Sequence, residues 1–253
     1  MPISNQIFSA ISALLCASAL DLEVGLGEVS LLSTIRSLYG PFRSEKMFTD
    51  RRDAAVRLAA ALTQYRGQNA LVLGVPRGAV PMARIIADAL GGEMDVVLVR
   101  KIGAPGNPEF AIGAVNEFGR AAISQRDAEY SGADDAYLEG EKQQQIEIMR
   151  VRRAQYTEQR APIDPAARVV IIVDDGLATG STMIAALETL RDQHPARLIC
   201  AVPVAPADTA ARVREHCDEL VCLETPETFY AVGQFYRDFA QVSDDEVVAA
   251  LRR

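Results

Sequence analysis

A chain of 253 residues, 49% apolar and 24% charged, is long enough for one α/β domain with a full core. Its formal net charge of −8 repels phosphate backbones, and its aromatics are few with no Trp, so neither nucleic acid nor a stacking platform for single strands is expected. An anionic ligand must then be held by a local site and not by the overall field.

Residues 1–46 read differently from the rest. Residues 7–20 are apolar and rich in Ser and Ala, but too short and too polar to span a bilayer. The first basic residue is Arg36, so the basic start of a secretory signal is missing. Gly40 and Pro41 punctuate this section and Met47 follows closely. The expectation is an N-terminal extension of low order over 1–46, with Met47 a candidate for the true start, and one domain over 47–253.

From 50 to 65 the apolar residues Ala54, Leu58, Ala61, Leu62 and Tyr65 recur at helical spacing, ended by Gly67. Residues 70–75 suit a buried strand. A helix is expected over 78–90, with Pro81 in its first turn and Gly91-Gly92 after its end. A second buried strand is expected over 95–99. Residues 101–108 hold two Gly and two Pro and read as a loop. Residues 111–115 and 121–124 read as a hairpin, and 134–160 as a polar helix with a stripe of Leu138, Ile146, Met149 and Tyr156. Residues 169–173 are five consecutive β-branched residues, the strongest strand signal in the chain. A helix over 181–191, a strand over 198–204, a helix over 208–216 and a strand over 219–223 complete the alternation. That order predicts an α/β fold, a doubly wound and mainly parallel sheet, with ligands beyond the carboxyl ends of its strands. The cysteines Cys16, Cys200, Cys217 and Cys222 form no C-x-x-C pair, and only His194 and His216 could join them, which argues against structural zinc. Cys200 lies in an apolar run and reads as a buried small hydrophobe. A reducing, cytoplasmic setting fits this usage.

Chemistry is expected at four junctions. The first is Asp174-Asp175-Gly176-Leu177-Ala178-Thr179-Gly180-Ser181-Thr182, after the strongest strand. Its glycines permit unusual backbone, and its hydroxyls sit beside the free N–H groups of a helix start, which makes a phosphate cradle. The two acids cannot bind phosphate but can accept hydrogen bonds from adjacent sugar hydroxyls. No Lys precedes the hydroxyl pair, so a Walker A loop is excluded, and G-x-G-x-x-G is absent. A plain helix cap explains one Ser or Thr, but not two acids, three hydroxyls and two glycines together.

This segment resembles the phosphoribosyl pyrophosphate motif of type I phosphoribosyltransferases: apolar residues, two acids, then a Thr-Gly-hydroxyl-Thr turn. The resemblance extends from about residue 48 to the C-terminus and is closest to predicted bacterial members whose base is unassigned. It implies that Pro76-Arg77-Gly78 form the pyrophosphate loop, with Arg77 matched to phosphate oxygens. Arg100 and Lys101 are similar to the opening of the flexible loop of adenine phosphoribosyltransferases and would neutralise departing pyrophosphate. Phe229 and Tyr230, before Val232-Gly233, are similar to the hood where an aromatic residue stacks on a purine. A solvated turn, a solvated basic pair and packing of the C-terminal segment are the plain alternatives at these three places. Glu109 or Glu117 is the candidate general acid or base.

The implied activity is phosphoribosyl transfer from phosphoribosyl pyrophosphate to a nitrogenous base with release of pyrophosphate. Mg²⁺ would be held mainly by substrate and water, with no protein metal ligands. The substrates are the expected partners, with no nucleic acid or membrane, and a homo-oligomer is compatible with the sequence. Two departures bear on the base. Hypoxanthine-guanine enzymes carry a third acid where Ala178 stands, and a purine-reading Lys where Val204-Ala205-Pro206-Ala207 stands. A 6-oxopurine is therefore disfavoured, and the Leu-Ala-Thr-Gly form is closer to adenine and uracil enzymes. A non-catalytic sensor of phosphoribosyl pyrophosphate or a nucleotide would need the same cradle and is the rival reading.

Overall fold

The computed structural model describes residues 47–157 and 160–252. The expectations for 1–46, the end of the helix at 158–159 and the side chain of Glu109 lie outside the described residues. Helix α1 (Arg51–Ala61) starts where Asp50 accepts the Asp53 N–H at 2.8 Å and Asp53 accepts the Thr49 N–H at 3.0 Å. Strand β1 (Leu71–Gly74) leads to α2 (Val80–Leu90), which has Pro81 in its first turn and a left-handed Gly91 at its end.

Strand β2 (Glu93–Val96) is shorter than expected. Val97 and Leu98 stay buried after leaving the ladder, so the apolar run outlasts the strand, and Val99 begins another one. The loop expected over 101–108 is instead a hairpin. Strand β3 (Val99–Ala104) pairs antiparallel with β4 (Asn107–Asn116), which pairs with β5 (Ala121–Ile123). Its Gly and Pro residues have separate local duties. Pro105-Gly106 form the two-residue tip, with Gly106 at φ 71°. Gly103 sits at a register shift where a Cβ would lie 2.7 Å from the Pro108 Cα. The turn-forming composition thus marks the tip of a hairpin and not a whole loop. The β4–β5 hairpin stands as expected.

Helix α3 (Gln125–Ser131) has no counterpart among the expected elements, although Ser124 caps it and left-handed Gly132 ends it. Helix α4 (Asp135–Thr157) buries Met149 and Tyr156 as its stripe predicts, and also Arg153. Strand β6 (Val169–Val173), α5 (Ser181–Arg191), β7 (Arg197–Val204), α6 (Ala207–Arg214) and β8 (Glu219–Glu224) follow within a few residues of expectation. A further unexpected helix, α7 (Asp244–Leu251), begins at a Ser243/Glu246 capping box.

The main sheet is wholly parallel, in the order β2-β1-β6-β7-β8. Both its faces are covered, which is why its strands read as unbroken apolar runs. Val72, Ile171, Val173, Ile199 and Ala201 face the core that holds α1, α2, α4 and α7. Leu71, Leu73, Val170, Ile172, Leu198, Cys200 and Val202 face the core under α5 and α6. Burial pushes the Cys200 thiol well up, as suits an inert core residue. Among the described residues no helix is long and apolar enough to cross a membrane.

A buried ionic cluster joins the small antiparallel sheet to the edge of the large one. Arg153 on α4 donates to Asp95 Oδ1 at 2.9 Å, to the Val96 carbonyl at 2.9 Å, and to both carboxylate oxygens of Glu117. Asp95 Oδ2 also accepts the Ile163 N–H at 3.1 Å. Replacing Arg153 by Ala would leave Glu117 enclosed without its partner and Asp95 with the more distant Arg160, 3.5 Å away. The expected result is a loss of roughly 3–5 kcal/mol of unfolding free energy, measured by urea titration.

Candidate active site

The site is built where β6 runs out at the centre of the sheet. After Val173 the chain carries Asp174 and Asp175, buries Leu177 and reaches Gly180, which has φ 71° and gives α5 no side-chain cap. Apart from a long 3.5 Å bond from the Ser181 N–H to Thr179 Oγ1, the first-turn N–H groups of α5 find no side-chain acceptor among the described residues and can face an anion. Thr179 Oγ1 and Ser181 Oγ lie 3.2 Å apart on the exposed rim of that turn. Helix α6 holds the turn from behind: Thr209 donates to the Ala178 carbonyl at 2.9 Å and Arg212 to the Thr179 carbonyl at 3.1 Å. Gly176 admits Val232 of the C-terminal segment, since a Cβ there would lie 2.6 Å from Val232 Cγ1.

The two acids are unequally supported. Asp174 Oδ1 accepts the Asp175 N–H at 2.9 Å. Asp175 Oδ2 receives Arg51 Nε at 2.9 Å and Nη2 at 2.8 Å. Burial raises the Asp174 carboxyl well above the ordinary range, and the neighbouring Asp175 charge adds to it. Burial also raises Asp175, with Arg51 pulling the other way. Arg51 escapes a reading of the sequence because Asp50-Arg51-Arg52 is an ordinary helix start with no chemical pattern of its own.

The loop after β1 approaches the acids closely. A Cβ on Gly78 would lie 2.1 Å from Asp175 Oδ2, so this position requires glycine. The preceding Pro76–Arg77 peptide is cis. Arg77 is about a third exposed and lies 3.9 Å from Asp244 on α7. Asp244 also accepts the Tyr156 hydroxyl at 2.8 Å, and burial with that bond pushes Tyr156 up to about 12.

A small cleft, open to solvent, brings Pro76, Arg100 and Thr182 together, with Arg152 of α4 as an unexpected third polar side chain. Arg100 donates to Gln145 on α4, and Lys101 is exposed on β3. Glu109 lies on β4. Glu117 is not free for proton transfer: Arg153 occupies both its oxygens, which corrects the expectation for it. Of the two hood aromatics, Phe229 packs on Phe235 with ring centroids 5.1 Å apart, whereas Tyr230 is 62% exposed. Among the described residues no three His, Cys, Asp or Glu side chains gather to hold a metal.

A parallel α/β sheet with an acid pair and an uncapped helix start beyond its central strand defines a protein of the phosphoribosyltransferase type. The chain belongs to the phosphoribosyl transferase domain family, whose profile matches residues 46–240. Two Mycobacterium tuberculosis sequences, from strains CDC 1551 / Oshkosh and ATCC 25618 / H37Rv, are each 44% identical over 209 residues, 82% of this chain and 47% of their own length. Their names assign them provisionally to the phosphoribosyl transferases. The chain thus spans about half the length of the curated relatives it matches. A crystal structure of a Thermus thermophilus protein is 45% identical, covers 81% of this chain and 97% of its own, and superposes with a TM-score of 0.73.

The raised carboxyls make a testable statement about stability. A carboxyl whose pKa is raised on folding adds stability while protonated and loses it as pH rises through that pKa. Asp174→Asn should therefore stabilise the ligand-free protein at neutral pH. The gain should shrink as pH falls toward the ordinary carboxylate range of about 4, where wild-type Asp174 is itself neutral. Thermal unfolding across pH measures both effects.

Proposed function

We propose that the protein is a phosphoribosyltransferase that moves the phosphoribosyl group of phosphoribosyl pyrophosphate to a nitrogenous base and releases pyrophosphate. One observation carries the reading. The acid pair and the uncapped start of α5 stand side by side beyond β6, and the loop of Pro76, Arg77 and Gly78 lies against the second acid. That spacing suits a ribose 5-phosphate with a pyrophosphate on its anomeric carbon.

In this reading Thr179, Gly180, Ser181 and Thr182 hold the 5-phosphate, with Gly176 and Ala178 shaping the turn. Asp174 and Asp175 accept hydrogen bonds from the two ribose hydroxyls and orient the ring. The bond from the anomeric carbon to the pyrophosphate oxygen breaks, its electron pair leaving with pyrophosphate. The lone pair of the base nitrogen forms the new bond, and the nitrogen's proton passes to solvent or to Glu109. Arg77, Arg100 and Lys101 neutralise the charge that develops on the leaving group. Two carboxylates without a third fit a cation carried chiefly by substrate oxygens and water, so Mg²⁺ when bound would add charge neutralisation on the pyrophosphate. Phe229 and Tyr230 flank the acceptor side, where the exposed Tyr230 ring offers the stacking face. A cytoplasmic setting supplies both substrates.

The β3–β4 hairpin, which carries Arg100 and Lys101 beside the cleft, favours catalysis over sensing alone. Purified protein with phosphoribosyl pyrophosphate, Mg²⁺ and a panel of bases should release pyrophosphate with at least one base. Tight binding with no turnover on any base would make the protein a sensor. Changing Asp174 and Asp175 together to Asn should abolish binding in calorimetry while the circular dichroism spectrum stays native. Changing Arg100 and Lys101 together to Ala should lower kcat by about 10²–10³ with little change in donor affinity, because these charges act on the transition state.

A further inference from the structure

Arg51 lies outside every motif, yet its guanidinium makes contacts in three directions. Nε and Nη2 meet Asp175 Oδ2 at 2.9 and 2.8 Å. Nη1 donates to the Ala240 carbonyl at 2.6 Å, and the Phe239 ring lies 3.8 Å below its carbon. A second tie runs beside it: the Tyr236 hydroxyl donates to the Asp175 carbonyl at 2.6 Å, and Tyr236 packs on Phe239 with centroids 4.9 Å apart. The segment bearing these residues continues the stretch that holds Phe229, Tyr230 and Val232. The start of the domain is bonded to it as well, since Phe48 N–H donates to the Phe235 carbonyl and Arg237 N–H to the Phe48 carbonyl.

We infer that Arg51 is a positioning residue that couples the donor and acceptor halves of the site, gripping Asp175, the Ala240 carbonyl and the Phe239 ring with one guanidinium. The inference rests on the proposed assignment of ribose to Asp174 and Asp175 and of the acceptor to the 229–230 side. The geometry leaves room for it. Arg51 takes Oδ2 of Asp175, so a ribose hydroxyl can approach Oδ1 without displacing the arginine. A planar fork that stacks and donates in two directions at once is specific to arginine; a lysine ammonium is a point charge and cannot keep all three contacts. Ordering of Asp175 by ribose would then be felt at 236–240, and the setting of that segment would be felt in donor affinity, as reciprocal coupling requires.

Hydrogen exchange and calorimetry with phosphoribosyl pyrophosphate and Mg²⁺ test this on the full chain. In the wild type, donor alone should slow exchange of the 236–240 amides. In Arg51→Lys, donor affinity should fall about tenfold, and the slowing at 236–240 should vanish. Phe239→Leu keeps the Arg51–Asp175 pair and removes the ring. It should bind donor within about threefold of wild type and still lose the remote slowing, which also covers the case of a lysine variant that does not fold. A merely structural arginine would lower the unfolding temperature without uncoupling the two readouts, and that result would overturn the inference. Wild-type affinity and wild-type slowing in both folded variants would overturn it too, while leaving the proposed function intact. No donor binding by the wild type would overturn both.

Discussion

Two carboxylates stand side by side at the end of a buried parallel strand, and much of the site is arranged around making that tolerable. Burial raises both carboxyls, and the Asp175 charge raises Asp174 further, so an acid pair at this place needs support. The support is local and asymmetric. Asp175 leans on Arg51 directly, while Asp174 accepts the next residue's N–H and feels the Arg51 charge from farther off. Gly78 admits a loop against Asp175, Gly176 admits Val232 on the other side, and Tyr236 fixes the Asp175 carbonyl. A pair that is uncomfortable when empty is what a polyhydroxylated ligand would relieve, since its hydroxyls donate where the protein supplies few donors.

Much of this is legible in the sequence where the cause is local. Five β-branched residues make a strand whatever surrounds them, and hydroxyls after a glycine mark a helix start that accepts anions, so β6, its turn and α5 stand where expected. Arg51 is not legible because its partners, Asp175 and Ala240, lie 124 and 189 residues away. Arg152 reaches the cleft only because a long helix crosses it. Glu117 has the composition of a free surface acid, and only the fold shows Arg153 closing on it. The hairpin at 99–116 is hidden for the opposite reason: Gly and Pro are strong local signals, and they describe the tip while the strands beside it are short on β-branched residues.

The acceptor half is less determined than the donor half for a physical reason. In the proposed reading, phosphate and ribose are recognised by backbone N–H groups and two acids in one continuous turn. A base is recognised by residues from several segments, each with few fixed contacts. Ala178 supplies no third acid, and its carbonyl is used to hold Thr209. Ala205 is fully buried, and Pro206 directly precedes α6. In the proposed reading, base discrimination would fall to the exposed Tyr230, the C-terminal segment held by Arg51, and the cleft beside α4.

In the proposed reading the turn after β6 binds a phosphoribosyl group, with the acid pair on the ribose and the start of α5 on the 5-phosphate. A crystal structure of the protein with phosphoribosyl pyrophosphate and Mg²⁺ tests it most directly. The 5-phosphate oxygens are expected within hydrogen-bond reach of the Thr179–Thr182 N–H groups, and the ribose hydroxyls on Asp174 and Asp175. Donor density seated elsewhere, with the Asp174 and Asp175 carboxylates untouched, would contradict it.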